Sequence, residues 1–210
     1  MRVVILTNGE YGDYSFCREL GKYEYLICAD NGMNHADKIG VSPDLLVGDF
    51  DSASKEDILK FENKGVKVIR FPSEKDFTDT EIAVQIALEI GASQIDIYGG
   101  IGSRLDHTLG NVHLLYGLLL KGVKAKLLNP NNEVTITDSS LDIKGEKGQL
   151  ISLIPFFKDA QGVTTEGLAY SLNDADVPMG TALGISNYML SDFAKVSIKK
   201  GILIIIKARD

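Results

Sequence analysis

The sequence changes character once, at Pro130-Asn131-Asn132, and that change constrains the fold more than any other feature of the chain. Up to Asn129, short β-branched runs alternate with segments of helical periodicity. The strand-like runs are RVVILTN, YEYLICAD, SPDLLVGDFD, VKVIRFP, QIDIYGG and AKLLN. Such regular alternation predicts an α/β fold: a Rossmann-like parallel sheet with helices on both faces. After Asn132 the runs VTITD, LDIKG, LISLIPF, GVTTEGLAYSL, KVSIKK and GILIIIKA are all β-type, with turn signals between them. They predict an antiparallel β-sandwich or barrel-like domain. The expected division is therefore 1–129 and 130–210. The second part, at about 80 residues, is small to stand alone and is expected to pack on the first or on a second chain.

Helix signals fill the gaps in the first part. A helix is expected from about Asp13 to Leu20 and another from Asn31-Gly32 to Gly40. In SKEDILKFENKG, Ser54 reads as the cap and Gly65 as the stop. Thr78-x-x-Glu81 is a capping box before a helix whose apolar face is Ile82, Ala83, Ile86, Ala87 and Ile90. Leu105, Leu109, Val112, Tyr116 and Leu119 are expected to be the core face of the last helix, which Gly122 ends.

The carboxylates fall at the ends of these strands. In an open α/β sheet, ligands bind at the carboxyl ends. Asp30 ends strand two, Asp49 and Asp51 end strand three, and Asp76 and Asp79 follow strand four. Gly99-Gly100-Ile101-Gly102-Ser103-Arg104 follows strand five, and Asp106 opens the last helix with His107 beside it. In an extended chain, Asp49 and Asp51 would point to one side, either to bind a cation or to share a proton; the alternative is an Asp-rich surface turn. Magnesium suits such a pair, since it takes hard oxygen ligands together with substrate phosphates. Asp79 and Asp106 could instead serve only the dipoles of their helices. GGIGSR is neither a Walker loop nor G-x-G-x-x-G, but its glycines allow backbone NH groups near phosphate, and Arg104 supplies a cation. Four or five acids facing a glycine-rich turn and an arginine would repel one another unless metal and phosphate relieve them. The residues thus point to a magnesium-dependent phosphoryl or nucleotidyl-type transferase.

Bulk properties are compatible with this and exclude other classes. A net charge of −7 argues against a general nucleic-acid binder. Cys17 and Cys28 make no disulfide framework, so a reducing compartment is expected. The apolar run Leu114 to Leu120 is too short to span a bilayer, and the N-terminal run is too short for a signal-peptide core, so a cytoplasmic, mature chain is expected.

The order LVGDFDS, KDFTDTEIA and GGIGSRLDHTLGNV, after ADNGMNHA and before GLAYSL and GISN, resembles the thiamine pyrophosphokinase (thiamine diphosphokinase) family over nearly the whole chain. The resemblance implies a catalytic α/β domain, a thiamine-binding β-sandwich and a homodimer with thiamine near the subunit interface. It implies transfer of the pyrophosphoryl group of ATP to thiamine, giving thiamine diphosphate and AMP. By position, Asp49, Asp51 and Asp79 would hold Mg²⁺. Asp30, Asn31, Gly32, Gly99, Gly100, Gly102, Arg104, Asp106 and His107 would surround ATP, with Asp76 nearby. Lys75, Tyr170, Ser186 and Asn187 would meet thiamine; Tyr170 stands where some members carry tryptophan, which this chain lacks. Asp76 or Asp106 would accept the hydroxyl proton. Two rivals differ in kind. One is a haloacid-dehalogenase-type phosphohydrolase using Asp49 and Asp51; the other is a nucleotide- or vitamin-binding module without turnover.

Overall fold

The computed structural model describes residues 1–51, 53–72, 74 and 76–209, with the backbone alone at Glu19 and Lys55. The chain divides into two compact units, Met1–Pro130 and Asn131–Asp210.

The first unit is the α/β fold. Strands β1 (Arg2–Leu6), β2 (Tyr25–Ala29), β3 (Leu45–Gly48), β4 (Lys67–Arg70), β5 (Gln94–Tyr98) and β6 (Lys124–Leu128) lie in the order β6-β5-β1-β2-β3-β4. Every pairing is parallel. Helices α1 (Gly32–Ile39), α2 (Lys55–Glu62), α3 (Asp79–Glu89) and α4 (Leu105–Leu120) connect them. Val4, Leu6, Leu26, Cys28 and Leu46 bury one face of the sheet under Met33 and Ala36 of α1 and Ile58 and Phe61 of α2. Their alternates Val3, Ile5, Ile27, Leu45 and Val47 point to the other face, where α3 runs across β1, β2 and β3. Burying each large aliphatic side chain is worth about 1.5–3 kcal/mol, so the two-sided core sets the sheet's register.

That register fixes the functional edge. Leu6 is level with both Cys28 and Tyr98, and Ala29 with Val47. Asp30, Asp49 and Gly99 therefore leave the sheet along one edge, as the sequence predicts, and Thr7 leaves it beside them. Chain order reverses between β1 and β5, which makes the gap between them the topological switch point.

Several local expectations are corrected. The segment after β1 forms only a 3₁₀ turn, Ser15–Glu19, because Gly12 (φ +53°) and Tyr14 (φ +62°) are left-handed and its aromatic rings fold inward. β2 ends at Ala29, and Asp30 turns away with φ +49°. Ile90 lies at the C-cap of α3 and is exposed. On α4, Leu105 and Leu109 are 67% and 53% exposed, while Asn111, Leu115 and Leu118 are buried. That helix is apolar around most of its circumference, so periodicity could not set which face turns inward. Ser54 caps α2 by accepting from the Asp57 N–H, and Thr78 caps α3 by accepting from the Glu81 N–H, as expected.

The second unit is an antiparallel sandwich. One sheet is β12 (Asn187–Tyr188), β9 (Leu150–Pro155), β14 (Leu203–Ala208) and β7 (Asn132–Thr137). The other is β11 (Ala175–Val177), β10 (Ala160–Glu166), β13 (Phe193–Ser197) and β8 (Ser140–Lys144). Ile151, Leu153, Leu203 and Ile205 of the first sheet meet Ile143, Val163, Ala194 and Val196 of the second. The short strands β11 and β12 carry no periodic signal and were not foreseen.

Candidate functional site

A cavity of about 430 Å³ opens at the switch point of the α/β unit. Its walls come from five places in the chain: Thr7–Glu10 after β1, Ala29 and Asp30 after β2, and Thr78–Thr80 at the start of α3. Gly99, Gly100, Gly102, Ser103 and Arg104 follow β5, and His107, Thr108 and Asn111 project from α4. Two helix N-termini, those of α3 and α4, thus border one cavity, an arrangement that favours anionic groups.

The glycines are there for close approach. A Cβ on Gly9 would sit 1.9 Å from the Gly99 carbonyl oxygen, so the loops after β1 and β5 touch backbone to backbone. Gly99 has φ +75°, and its Cβ would lie 2.6 Å from the Tyr11 ring and 3.0 Å from Thr7 Oγ1. The loop after β5 is fastened from beneath. Gly99 N–H donates to the Leu128 carbonyl (2.8 Å), Asn111 Nδ2 donates to the Gly100 carbonyl (2.7 Å) and Gly102 N–H donates to Thr108 Oγ1 (3.2 Å). Two of the loop's amides are therefore engaged within the protein rather than free for a phosphate.

Arg104 and Asp106 form a paired fork, with Nε–Oδ1 3.2 Å and Nη2–Oδ2 2.6 Å. The Arg104 hydrogen bond pulls the Asp106 carboxyl down to about 2 and raises the guanidinium. While this pairing holds, Asp106 is a weak proton acceptor near neutrality.

Among the expected ATP residues, Asp30, Gly99, Gly100, Gly102, Arg104 and His107 line the cavity, as does Asp79 from the expected metal set. Asn31, Gly32 and Asp106 do not. A Cβ on Gly32 would meet the Leu6 carbonyl at 2.0 Å, so this glycine lets α1 pack on β1. Asp76 is exposed outside the cavity, and Lys75 lies outside the described residues.

Asp49 and Asp51 lie elsewhere on the edge, in a second depression with Phe50, Ile58, Glu62 and Arg70. They do not continue the strand's alternation. Phe50 is buried with φ +58°, and the Asp51 N–H donates to Asp49 Oδ1 at 3.0 Å, making an Asx-type turn. Among the described residues, no three His, Cys, Asp or Glu side chains gather closely enough to hold a metal by themselves. Asp30 and Asp79, which share the cavity, fit the other mode of magnesium binding, in which one or two carboxylates act with substrate phosphates.

Thr7, Asn8, Gly9, Glu10, Thr78, Thr80, Thr108 and Asn111 were not foreseen as site residues. The signal for the first four was TNGEYG, a glycine-containing loop directly after the first strand, but its meaning depends on strand order.

In the second unit, Tyr170 is 67% exposed and meets Tyr188 edge-on at 5.9 Å. Asn187 is buried. Its Oδ1 accepts from the Tyr170 and Tyr188 N–H groups, and its Nδ2 donates to the Tyr170 carbonyl. Three of its four hydrogen-bonding positions are thereby used, so it shapes the ledge under Tyr170 more than it faces a ligand. Ser186 is exposed, with φ +58° and its N–H on Ser152 Oγ.

Beneath the loop after β1, His35 stacks on Tyr11 (3.7 Å, 14°). Burial first, then Lys38, lowers its pKa to about 4. The unfolded chain then binds this proton more readily than the folded one between pH 6.5 and 4, so stability falls as pH drops through that window. After discounting for the ring's partial exposure, the loss is about 1–2 kcal/mol. His35→Gln should flatten the slope of denaturant-derived stability between those pH values; an unchanged slope would refute it.

Residues 16–127 match the family model described as thiamin pyrophosphokinase, catalytic domain, and residues 133–203 match the thiamin pyrophosphokinase, vitamin B1 binding domain. Thiamine pyrophosphokinase of Bacillus subtilis (strain 168) is 35% identical over 173 residues, 81% of each chain. The chain belongs to the thiamine pyrophosphokinase family. A crystal structure of the Bacillus subtilis thiamine pyrophosphokinase superposes with a TM-score of 0.90 at 30% identity, covering 100% of both chains. That of Geobacillus thermodenitrificans gives 0.85 at 29%, covering 100% of this chain and 98% of the other. Thiamin pyrophosphokinase from Candida albicans shares the fold, with a TM-score of 0.83 at 18% identity over 99% of this chain and 89% of its own. The hydrolase reading of Asp49 and Asp51 finds no support in these family matches, which run through both units.

Proposed function

We propose that the cavity of the α/β unit binds ATP and presents its pyrophosphoryl group to the hydroxyl of thiamine. The chain is an ATP-dependent transferase that makes thiamine diphosphate and AMP, an activity that comes with its family. The observation that carries the placement of ATP is the cavity itself: two helix N-termini, a fastened glycine loop and Arg104 at the switch point.

In the reaction a bond forms between the thiamine oxygen and the β-phosphorus. The bond from that phosphorus to the α,β-bridging oxygen breaks, and its electron pair leaves with AMP. No covalent enzyme intermediate is needed, so the protein's task is to align the reactants and to stabilise charge. Arg104 turns from Asp106 towards phosphate oxygens, and the N-termini of α3 and α4 face the same charge. Asp76, or Asp106 once Arg104 has turned away, takes the hydroxyl proton. Asp30 and Asp79 would hold Mg²⁺ together with the nucleotide, and Asp49 and Asp51 would add carboxylates for the metal–nucleotide complex. The ion would neutralise developing phosphate charge.

Thiamine would lie on Tyr170 of the sandwich, where an exposed aromatic face suits a cationic thiazolium ring. Leu183, Ile185 and Leu190 are exposed in the same unit, which supports a homodimer that covers them and places thiamine near the subunit interface. Among the described residues no helix is long and apolar enough to cross a membrane, which suits a cytoplasmic enzyme.

The direct test is incubation with ATP, Mg²⁺ and thiamine, followed by analysis for AMP and thiamine diphosphate. ADP in place of AMP would overturn the reaction. Arg104→Ala should raise the KM for ATP by about ten- to a hundredfold. Arg104→Lys should recover only part of this, because the bidentate fork is lost. Full recovery with lysine would reduce Arg104 to a point charge.

A further inference from the structure

We propose that His35 is a positioning residue that sets the nucleotide-side wall of the cavity without touching the nucleotide. It stands on α1, behind the Thr7–Glu10 loop, and is not among the residues lining the cavity. Its ring makes two directed contacts. Nδ1 lies 2.9 Å from Tyr14 Oη, and the face stacks on Tyr11 at 3.7 Å. The Gly9 backbone is near enough to favour the protonated ring.

Each contact leads to a wall of the cavity. Gly9 is the residue whose backbone presses on Gly99. Tyr11 fills the space against Gly99 from the other side and donates from its hydroxyl to the Tyr98 carbonyl (2.9 Å), the residue before that loop. Through Tyr11, one ring bears on the separation of the loops after β1 and β5. Tyr14 is itself covered by Lys38 Nζ at 5.7 Å, so the clamp is supported on its outer side. An inert aromatic filler would need no ring nitrogen; here Nδ1 is matched to the Tyr14 hydroxyl.

The proposal rests on ATP occupying this cavity, so the experiment includes Arg104→Ala as a reference. His35→Phe keeps the stack and removes the hydrogen bond to Tyr14, His35→Gln restores a hydrogen-bonding group, and Tyr14→Phe removes the same bond from the other side. ATP affinity is measured by titration of the full chain in Mg²⁺, together with KM for thiamine and the melting temperature. The expected result is about tenfold weaker ATP binding for His35→Phe and a smaller loss for Tyr14→Phe. His35→Gln should bind within about threefold of the parent, with KM for thiamine unchanged throughout. If Arg104→Ala weakens ATP binding and the folded His35→Phe does not, the positioning role is wrong and the site stands. If His35→Phe fails to fold, unchanged affinity in Tyr14→Phe overturns the proposal. If Arg104→Ala leaves ATP affinity untouched, the placement of ATP fails and this proposal falls with it.

Discussion

Gly9→Ala should lower ATP-dependent turnover by about a hundredfold while leaving most of the fold's stability in place. The added carbon would lie 1.9 Å from the Gly99 carbonyl oxygen, 2.6 Å from its carbon and 2.8 Å from its Cα. All three are backbone atoms of a loop fastened to Leu128, Thr108 and Asn111, so that side cannot give way. The Thr7–Glu10 loop, with Asn8 and Glu10 exposed, must move instead. A displacement of about 1 Å in a positioning element costs on the order of a hundredfold in rate. Gly32→Ala provides the contrast. Its carbon would meet the Leu6 carbonyl at 2.0 Å inside the packed contact of α1 with β1, so the damage should fall on stability, by about 2–4 kcal/mol. Denaturant melts and steady-state rates of both variants separate the two effects. A Gly9→Ala enzyme with parental kcat and KM would show that the loops are not held apart as described.

Asp49→Asn and Asp51→Asn should each lower turnover by at least about a hundredfold with little change in melting temperature. Asparagine is the informative replacement at position 49. It keeps the side-chain oxygen that accepts from the Asp51 N–H, and so preserves the turn, while removing the charge. Asp49→Ala removes both and should cost about 1 kcal/mol of stability in addition. Asp51 is exposed, so its neutralisation has little to disturb in the core. Normal rates in Asp49→Asn and Asp51→Asn would mean that the pair serves only to shape the turn after β3. That outcome would remove both from the metal and phosphate chemistry.

The sheet edge was legible because two independent rules agree on it. Strand–helix alternation gives a parallel sheet, and a parallel sheet gathers the residues after its strands. Asp30, Asp79, Gly99 and Arg104 could thus be placed together with no knowledge of strand order. The Thr7–Glu10 loop could not be placed, because its importance depends on β1 and β5 being neighbours across the switch point, a pairing more than ninety residues apart in sequence. Asp49 and Asp51 show a different limit. Alternation assumes an extended backbone, and a single left-handed residue, Phe50, ends it. On α4 the apolar residues outnumber the buried positions, so the inward face was settled by packing and by Asn111, a polar residue that a hydrophobic pattern reads as outward-facing.

The fastening of the loop after β5 bears on the thermodynamics of ligand capture. Glycine-rich segments lose the most backbone freedom when they become fixed. Here that loss accompanies folding, through the Leu128 carbonyl, Thr108 and Asn111, and does not await the nucleotide. The floor of the cavity is preorganised, so binding to it carries little entropic penalty. Differences in nucleotide affinity among variants should therefore originate in the opposite wall and in Arg104, the parts that must still find their place.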